Sequence, residues 1–287
     1  MLFLHAMTKI GLTRFYKWTL IVLFSWGMLA CDPYSKILKN PDLDYKYKMA
    51  QEFYYQGMYY KAQPLLEELL TAYRGSDKAE DVYYYYAWCD YHLQAYTLAS
   101  YHFKNFSTNF PSSKRVEDVD FMYAYCMFLE SPNFALDQQS TRKALEAFQL
   151  FVNKHPRSKR ISECNRMMDI LRAKLEKKSV ESAMLFYHME DYRAAAVMLK
   201  NTLNDYPDIS EREYLSFLIV KSYFNLAQNS IESKKEERFN ETLRYFASLK
   251  EDFPNSVHLK EAGEFAEKAK TELAKLAKAQ ASKKEIN

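Results

Sequence analysis

The chain has 287 residues, of which 48% are hydrophobic and 27% charged, a globular balance that excludes a disordered chain. Five glycines exclude folds that depend on many positive-φ turns, such as propellers and sandwiches, and neither a G-x-G-x-x-G nor a Walker loop occurs. The formal charge of +3 comes from Lys9, Arg14 and Lys17 in the first thirty residues. The remainder carries equal numbers of acidic and basic groups and no electrostatic footprint for nucleic acid.

Those three basic residues precede an apolar run, Trp18 to Met28, of about 16 Å as a helix against a ~30 Å hydrocarbon core. That length suits a signal peptide over 1–30 rather than a membrane span. Met28-Leu29-Ala30-Cys31 follows. It resembles a bacterial lipobox, in which the cysteine is acylated and becomes the mature N-terminus; several acyl chains make a stable anchor. Cys31 is therefore the expected lipidation site. Asp32 occupies the position that retains some lipoproteins at the inner membrane, so the final membrane stays open. Residues 31–41, with Pro33 and Pro41, are the expected lipidated N-terminus and tether.

From about Asp42 the sequence repeats. An aromatic-Pro-x-Ser element recurs as Phe110-Pro111-Ser112-Ser113 and Phe253-Pro254-Asn255-Ser256, with His155-Pro156-Arg157-Ser158 and Tyr206-Pro207-Asp208-Ile209 as imperfect copies. Twelve residues before each proline stands a small residue, Ala99, Ala144, Ala195 or Thr242, and four further on a large apolar one, Phe103, Phe148, Leu199 or Phe246. An earlier unit fits with Ala62, Leu66 and Tyr73-Arg74-Gly75-Ser76. The spacing is that of the tetratricopeptide repeat, a helix pair of about 34 residues.

The first helices carry their own small residues: Ala50, Ala87 and Ala183 lie twelve before the second-helix alanines. Ala124 and Ser222 fit the third and fifth units if the inter-helix turn there is eight residues longer. Small residues are needed because helices packed about 8–10 Å apart leave no room for larger ones at the crossing. Proline ends the second helix, having no N–H and driving its predecessor out of the helical region. The expected fold is all-α, a tetratricopeptide-repeat solenoid of about five helix pairs over residues 42–270. An extra helix near Ile161–Leu175 joins the third and fourth units, and residues 271–287 form a fraying tail. Pro64 requires its helix to start near Tyr60, where early N–H groups are unpaired.

No catalytic constellation emerges. The six histidines contain no H-E-x-x-H pair, and Cys89 with His92 has no second pair to complete a metal site. No cofactor, metal or enzymatic activity is expected. Cys89 and Cys126 are equivalent repeat positions, too far apart for a disulfide, and Cys164 is likewise expected unbridged.

Several stretches resemble the BamD family of lipoproteins of the outer-membrane β-barrel assembly machinery. Asp137-Gln138-Gln-Ser-Thr-Arg-Lys-Ala144 leads to Phe148, Phe151 and Pro156, then Leu171 and Leu175, Tyr187, Tyr192 and Ala194-Ala195. The resemblance implies a non-catalytic scaffold on the periplasmic face of the outer membrane. Its implied partners are the periplasmic domains of BamA and unfolded barrel proteins awaiting insertion. A periplasmic repeat lipoprotein serving cell-wall synthesis or another envelope complex would share signal, anchor and repeats.

In tetratricopeptide folds the first helices line the groove at offsets −6, −3, +1 and +4 from the small residue. Steps of three and four keep side chains on one helix face. The offsets give Asp44, Tyr47, Gln51 and Tyr54; Asp81, Tyr84, Trp88 and Tyr91; and Asp118, Phe121, Tyr125 and Phe128. The expected peptide-binding residues are the aromatic ones: Tyr47, Tyr54, Tyr84, Trp88, Tyr91, Phe121, Tyr125 and Phe128. Packing between repeats is the competing role for these rings, above all for Tyr84 and Phe121.

Overall fold

The computed structural model describes residues 33–286, and side chains as far as residue 280. The expected signal peptide and the expected lipidation site, Cys31, lie outside the described residues. The fold is all-α, of the tetratricopeptide-repeat type, in two units, Met1–Leu129 and Glu130–Asn287. The first unit holds α1 (Pro33–Leu38), α2 (Leu43–Tyr55), α3 (Tyr59–Ala72), α4 (Ala79–His92), α5 (Tyr96–Asn109) and α6 (Val116–Leu129). The second holds α7 (Gln139–Lys154), α8 (Ile161–His188), α9 (Tyr192–Asp205), α10 (Arg212–Gln228), α11 (Glu232–Asp252) and α12 (Leu259–Ile286). Within each unit, helices adjacent in sequence pack on one another from α2 to α6 and from α7 to α12.

The repeat register is visible in burial. Ala50, Ala62, Ala87, Ala99, Ala124, Ala144, Ala183, Ala195, Ser222 and Thr242 are all fully buried. Behind them Leu66, Phe103, Phe148 and Leu199 fill the core, while Phe246 is only half-buried. Cys89, Cys126 and Cys164 are buried thiols, and burial pushes Cys89 up to about 12 and Cys164 to about 11, so both stay protonated.

The aromatic-Pro-x-Ser element is the turn from one repeat to the next. Its serine N–H donates to the aromatic residue's carbonyl, as in Ser113 to Phe110 and Ser256 to Phe253, both at 3.0 Å. The serine hydroxyl then accepts from a backbone N–H two residues on: Arg115, Arg160 and His258, each at 3.1 Å. Ile209 lacks that hydroxyl, and there Arg212 donates instead to the Leu203 and Pro207 carbonyls, each at 3.3 Å.

The opposite turns, within repeats, close with a left-handed residue at Gly57 (φ 74), Gln94 (φ 62) and Glu190 (φ 60). Each forms a Schellman cap: Met58 N–H to Phe53 O, Ala95 to Asp90 and Asp191 to Phe186, at 2.8, 2.9 and 3.0 Å. The turn demands φ > 0, and glycine alone meets that demand without strain.

Four elements differ from the sequence reading. The expected joining helix does not stop near Leu175 but runs on as α8 to His188, absorbing the first helix of the fourth repeat. No proline or glycine interrupts Ile161–His188, so nothing ends it. The eight extra residues of the third repeat do form a loop, 130–138, braced by Lys174 Nζ on the Ser131 carbonyl at 3.1 Å and Lys178 Nζ on the Ala135 carbonyl at 2.9 Å. Those of the fifth do not: they lengthen α10 and α11, leaving only Asn229–Ile231 as the turn. Lysine- and glutamate-rich sequence at 232–238 favours helix over loop. The last helix packs past residue 270, where Leu273 and Leu276 rest on Phe224, Ala227 and Phe239.

Pro64 is the sixth residue of α3, beyond the unpaired first turn, so the Tyr60 carbonyl loses its helical donor. The neighbouring Lys61 carbonyl accepts the Tyr34 hydroxyl at 2.8 Å. That bond belongs to α1, a helix inside the expected tether. Its Tyr34 ring meets Phe53 edge-on at 5.7 Å and its Ile37 is buried.

One buried charge stands apart. Asp90 on α4 is fully buried, accepts from Gln63 of α3 at 2.5 Å, and lies 3.6 Å from the His102 imidazole of α5. Burial pushes its carboxyl up to about 6 despite the Gln63 bond, and nearby Glu67 adds to the rise. Burial also lowers His102, which therefore offers no full positive charge at neutral pH. The second carboxylate oxygen, Oδ2, has no hydrogen bond.

The left-handed turns and the buried carboxylate can both be tested by substitution. Gln94→Gly and Glu190→Gly should each stabilise the fold by about 1 kcal/mol in urea titrations, by relieving left-handed strain. For Asp90, the folded-state value lies above the ordinary 3.8, so the folded state holds the proton more tightly. The penalty is absent below pH 3.8, grows as pH rises, and is complete above about 6. Asp90→Asn keeps the Gln63 bond and should raise stability at pH 7.5 by on the order of 2–3 kcal/mol, while flattening the pH dependence between those values. Equal urea midpoints for wild type and variant at pH 7.5 would contradict this.

Candidate functional site

The eight expected groove residues all lie in the first unit, on α2, α4 and α6. The offsets of three and four put them on one face of each helix, and the buried alanines fix which face that is. The structure brings most of them into one aromatic row. Trp88 lies 6.0 Å from Tyr84 and 5.5 Å from Tyr91; Tyr91 lies 6.3 Å from Tyr125 across to α6. Tyr125 stacks on Phe121 at 5.9 Å and on Phe128 at 6.2 Å. On the α2 side Tyr54 meets Tyr85 at 4.8 Å, and Tyr85 meets Tyr84 at 5.9 Å, which closes the chain of rings.

Seven of the eight are half-buried. Phe121 is 3% exposed, so in this state it supports Tyr125 from beneath rather than lining the surface. Tyr47 stands apart from the ring row, 6.1 Å from Tyr73, and works through its hydroxyl.

Beside the rings runs a polar ladder with a fixed separation of 34 residues. Tyr47 donates to Asp81 at 3.4 Å and Tyr84 to Asp118 at 3.1 Å. Lys78 donates to Asp44 at 2.6 Å and Arg115 to Asp81 at 2.5 Å. Each aspartate at offset −6 thus receives a group from a neighbouring repeat. The Arg115 guanidinium also covers the Tyr84 ring at 4.4 Å, and Gln51 donates to the Tyr47 hydroxyl at 2.9 Å.

The electrostatics keep these phenols neutral. Burial, then the Asp81 charge, pushes Tyr47 up to about 12. Burial also raises Tyr54, Tyr84, Tyr85 and Tyr91. At physiological pH each is an un-ionised hydroxyl able to donate. The Trp88 indole N–H is buried with no acceptor in hydrogen-bond geometry.

Sequence reasoning missed Lys78 and Arg115. Their signal was present: each lies nine before its alignment alanine, Ala87 or Ala124, a recurrent basic position outside the offsets considered. It also missed Tyr85, one residue off the groove face, and the Tyr59–His92 stack at 4.0 Å. His92 packs there on a tyrosine while Cys89 points into the core, so the pair is split between surface and interior. Among the described residues no three His, Cys, Asp or Glu side chains gather as metal ligands.

In the second unit the same offsets around Ala183 give Lys177, Val180, Met184 and Tyr187. Val180, Met184 and Tyr187 pack against the core there, and the aromatic row has no counterpart on that helix.

No described helix is long and apolar enough to cross a membrane. The family model for YfiO, outer membrane lipoprotein, matches residues 41–209 and 176–283. None of the curated proteins matches the sequence.

Proposed function

The chain belongs to the YfiO family of outer membrane lipoproteins, and we propose that it is a non-catalytic scaffold of the β-barrel assembly machinery. It is anchored by acyl chains on Cys31 at the periplasmic face of the outer membrane. It docks on the periplasmic domains of BamA and receives unfolded barrel proteins in the groove of its first unit.

The observation that carries the client-binding part is the row Tyr84–Trp88–Tyr91–Tyr125, continuous across α4 and α6. Half-buried rings give a large contact area with little rotamer entropy left to lose, and tyrosine tolerates wetting when the groove is empty. The Asp44, Asp81 and Asp118 ladder holds the first helices in phase. An extended client segment with aromatic side chains, such as the last strand of an unfolded barrel protein, matches such a row. Phe121 contributes from below by fixing Tyr125, Tyr54 and Phe128 extend the row at its ends, and Tyr47 offers its hydroxyl beside it.

The docking reading is tested by capture of the native lipoprotein from detergent-solubilised envelopes. BamA among the captured proteins supports it; a cell-wall synthase recovered in its place would overturn it. For the groove, Trp88→Ala and Tyr125→Ala should each weaken binding of a barrel-protein C-terminal peptide by about 1–2 kcal/mol, with thermal stability measured alongside. Unchanged affinity in both variants would refute the groove assignment. Cys31→Ala should release the protein from membranes, because the body is electrically neutral and supplies no polybasic second anchor. Intact mass of the membrane-extracted protein should correspond to residues 31–287 plus acyl chains.

A further inference from the structure

We propose that the within-repeat turns of the first unit, α2–α3 and α4–α5, rest on lipid headgroups when the protein is anchored. The proposal deepens the lipidation of Cys31 put forward above and rests on it. It begins with the length of the leash. The expected tether of residues 31–41 would reach some 35 Å if it were free. It is not free, because α1 is docked within it. The Tyr34 ring sits against Phe53 at 5.7 Å, its hydroxyl bonds the Lys61 carbonyl at 2.8 Å, and Ile37 is buried. Only three peptide units join Cys31 to Tyr34, so the acylated cysteine stays within about 11 Å of that contact. Phe53 and Lys61 flank the α2–α3 turn. The bilayer surface must therefore lie close to this turn.

The two ends of the unit differ in the way such a placement requires. At the α2–α3 and α4–α5 turns, Tyr55 is 72% exposed, Tyr60 62%, Leu98 53% and Leu93 38%. The turns at the opposite end, residues 73–78 and 110–115, instead present Arg74, Asp77, Lys78, Lys114 and Arg115 with serines, and Tyr45 beside them, 39% exposed, is the one exposed ring among the described residues there. Exposed tyrosines and leucines without nearby acidic clusters suit the headgroup region, where an amphipathic ring keeps its hydroxyl wet and its body in apolar surroundings.

The apolar end is also one connected surface. The Tyr59–His92 stack at 4.0 Å ties the α2–α3 turn to the end of α4, and the Tyr55 and Tyr85 hydroxyls meet at 2.6 Å. The Lys61 ammonium lies 5.8, 5.5 and 5.7 Å from the Tyr34, Phe53 and Tyr60 ring centres, a cation held at the same edge for a lipid phosphate. Such a patch is too small to bind membrane alone. Tethering makes its contact intramolecular, so a weak surface suffices to orient the unit.

The test uses the full-length lipoprotein in vesicles of phosphatidylethanolamine and phosphatidylglycerol. An environment-sensitive fluorophore is attached at Gln56→Cys, in the α2–α3 turn, or at Asp77→Cys, at the opposite end of helices about 20 Å long. The buried native thiols are left unlabelled, as checked on the parent protein. Flotation with the vesicles reports the anchor independently. The expected result is quenching by spin-labelled lipid several-fold stronger at 56 than at 77, reduced by Tyr55→Ser with Tyr60→Ser while flotation persists. Equal quenching at both positions in protein that floats overturns the orientation and leaves the anchor standing. Failure to float overturns the lipidation and this proposal with it.

Discussion

The close approach of helices at small residues is the constraint from which the rest of the structure follows. At each crossing a residue no larger than threonine is fully buried, and that contact fixes the rotation of its helix about its own axis. Once the rotation is fixed, the offsets −6, −3, +1 and +4 fall on one side, and equivalent positions of successive repeats come into register. The constraint is strict enough to override polar satisfaction. Ser222 occupies an alanine position with its hydroxyl buried and unbonded, whereas Thr242 meets the same demand by bonding the Arg238 carbonyl of its own helix at 3.1 Å. A buried hydroxyl without a partner costs about 1–3 kcal/mol, which the crossing tolerates.

Features that depend on near neighbours along the chain are legible in the amino-acid sequence. The small-residue register, the proline turns and the face carrying the aromatic residues all rest on helix periodicity and steric exclusion. Helix length is not legible in the same way. The span 161–188 and the pair 212–228 and 232–252 contain no breaker, and spacing between alanines cannot tell a longer loop from two longer helices. The third repeat has the loop because Pro132, between Ser131 and Asn133, stops the helix; the fifth has Asn229-Ser230 but no proline, and its turn stays short. Likewise α1 is held by one ring contact, one hydroxyl bond and a buried isoleucine, all to residues distant in sequence.

The same division runs through the candidate site. Which rings share a face can be counted along the chain; how they are held cannot. The polar ladder links Lys78 with Asp44 and Arg115 with Asp81, pairs that become neighbours only after the repeats stack. Lys78 and Asp44 are exposed and contribute little to stability on their own. Their effect is geometric. Each pair ties one first helix to the next, so the tyrosines at offset −3 find aspartates from the adjoining repeat and cannot rotate freely. Phe121 shows the limit of counting: its offset is right, yet its ring is spent on supporting Tyr125.

For the function proposed above, preorganisation and tethering would act on different parts of the entropy of client capture. The ladder and the ring contacts order the groove before a client arrives, which lowers the cost of immobilising side chains on binding. In the proposed role, acylation at Cys31 would reduce the search to a layer next to the membrane, and the docked α1 would narrow it further by limiting how the first unit can turn. Neither effect adds a contact to the client. Both favour a groove built from generic aromatic surface rather than from sequence-reading polar pockets, because weak individual contacts suffice when order and location are already supplied. The proposed scaffold for many different barrel proteins would need that combination: affinity drawn from rings that accept any apolar side chain, and selectivity drawn from where the groove is held.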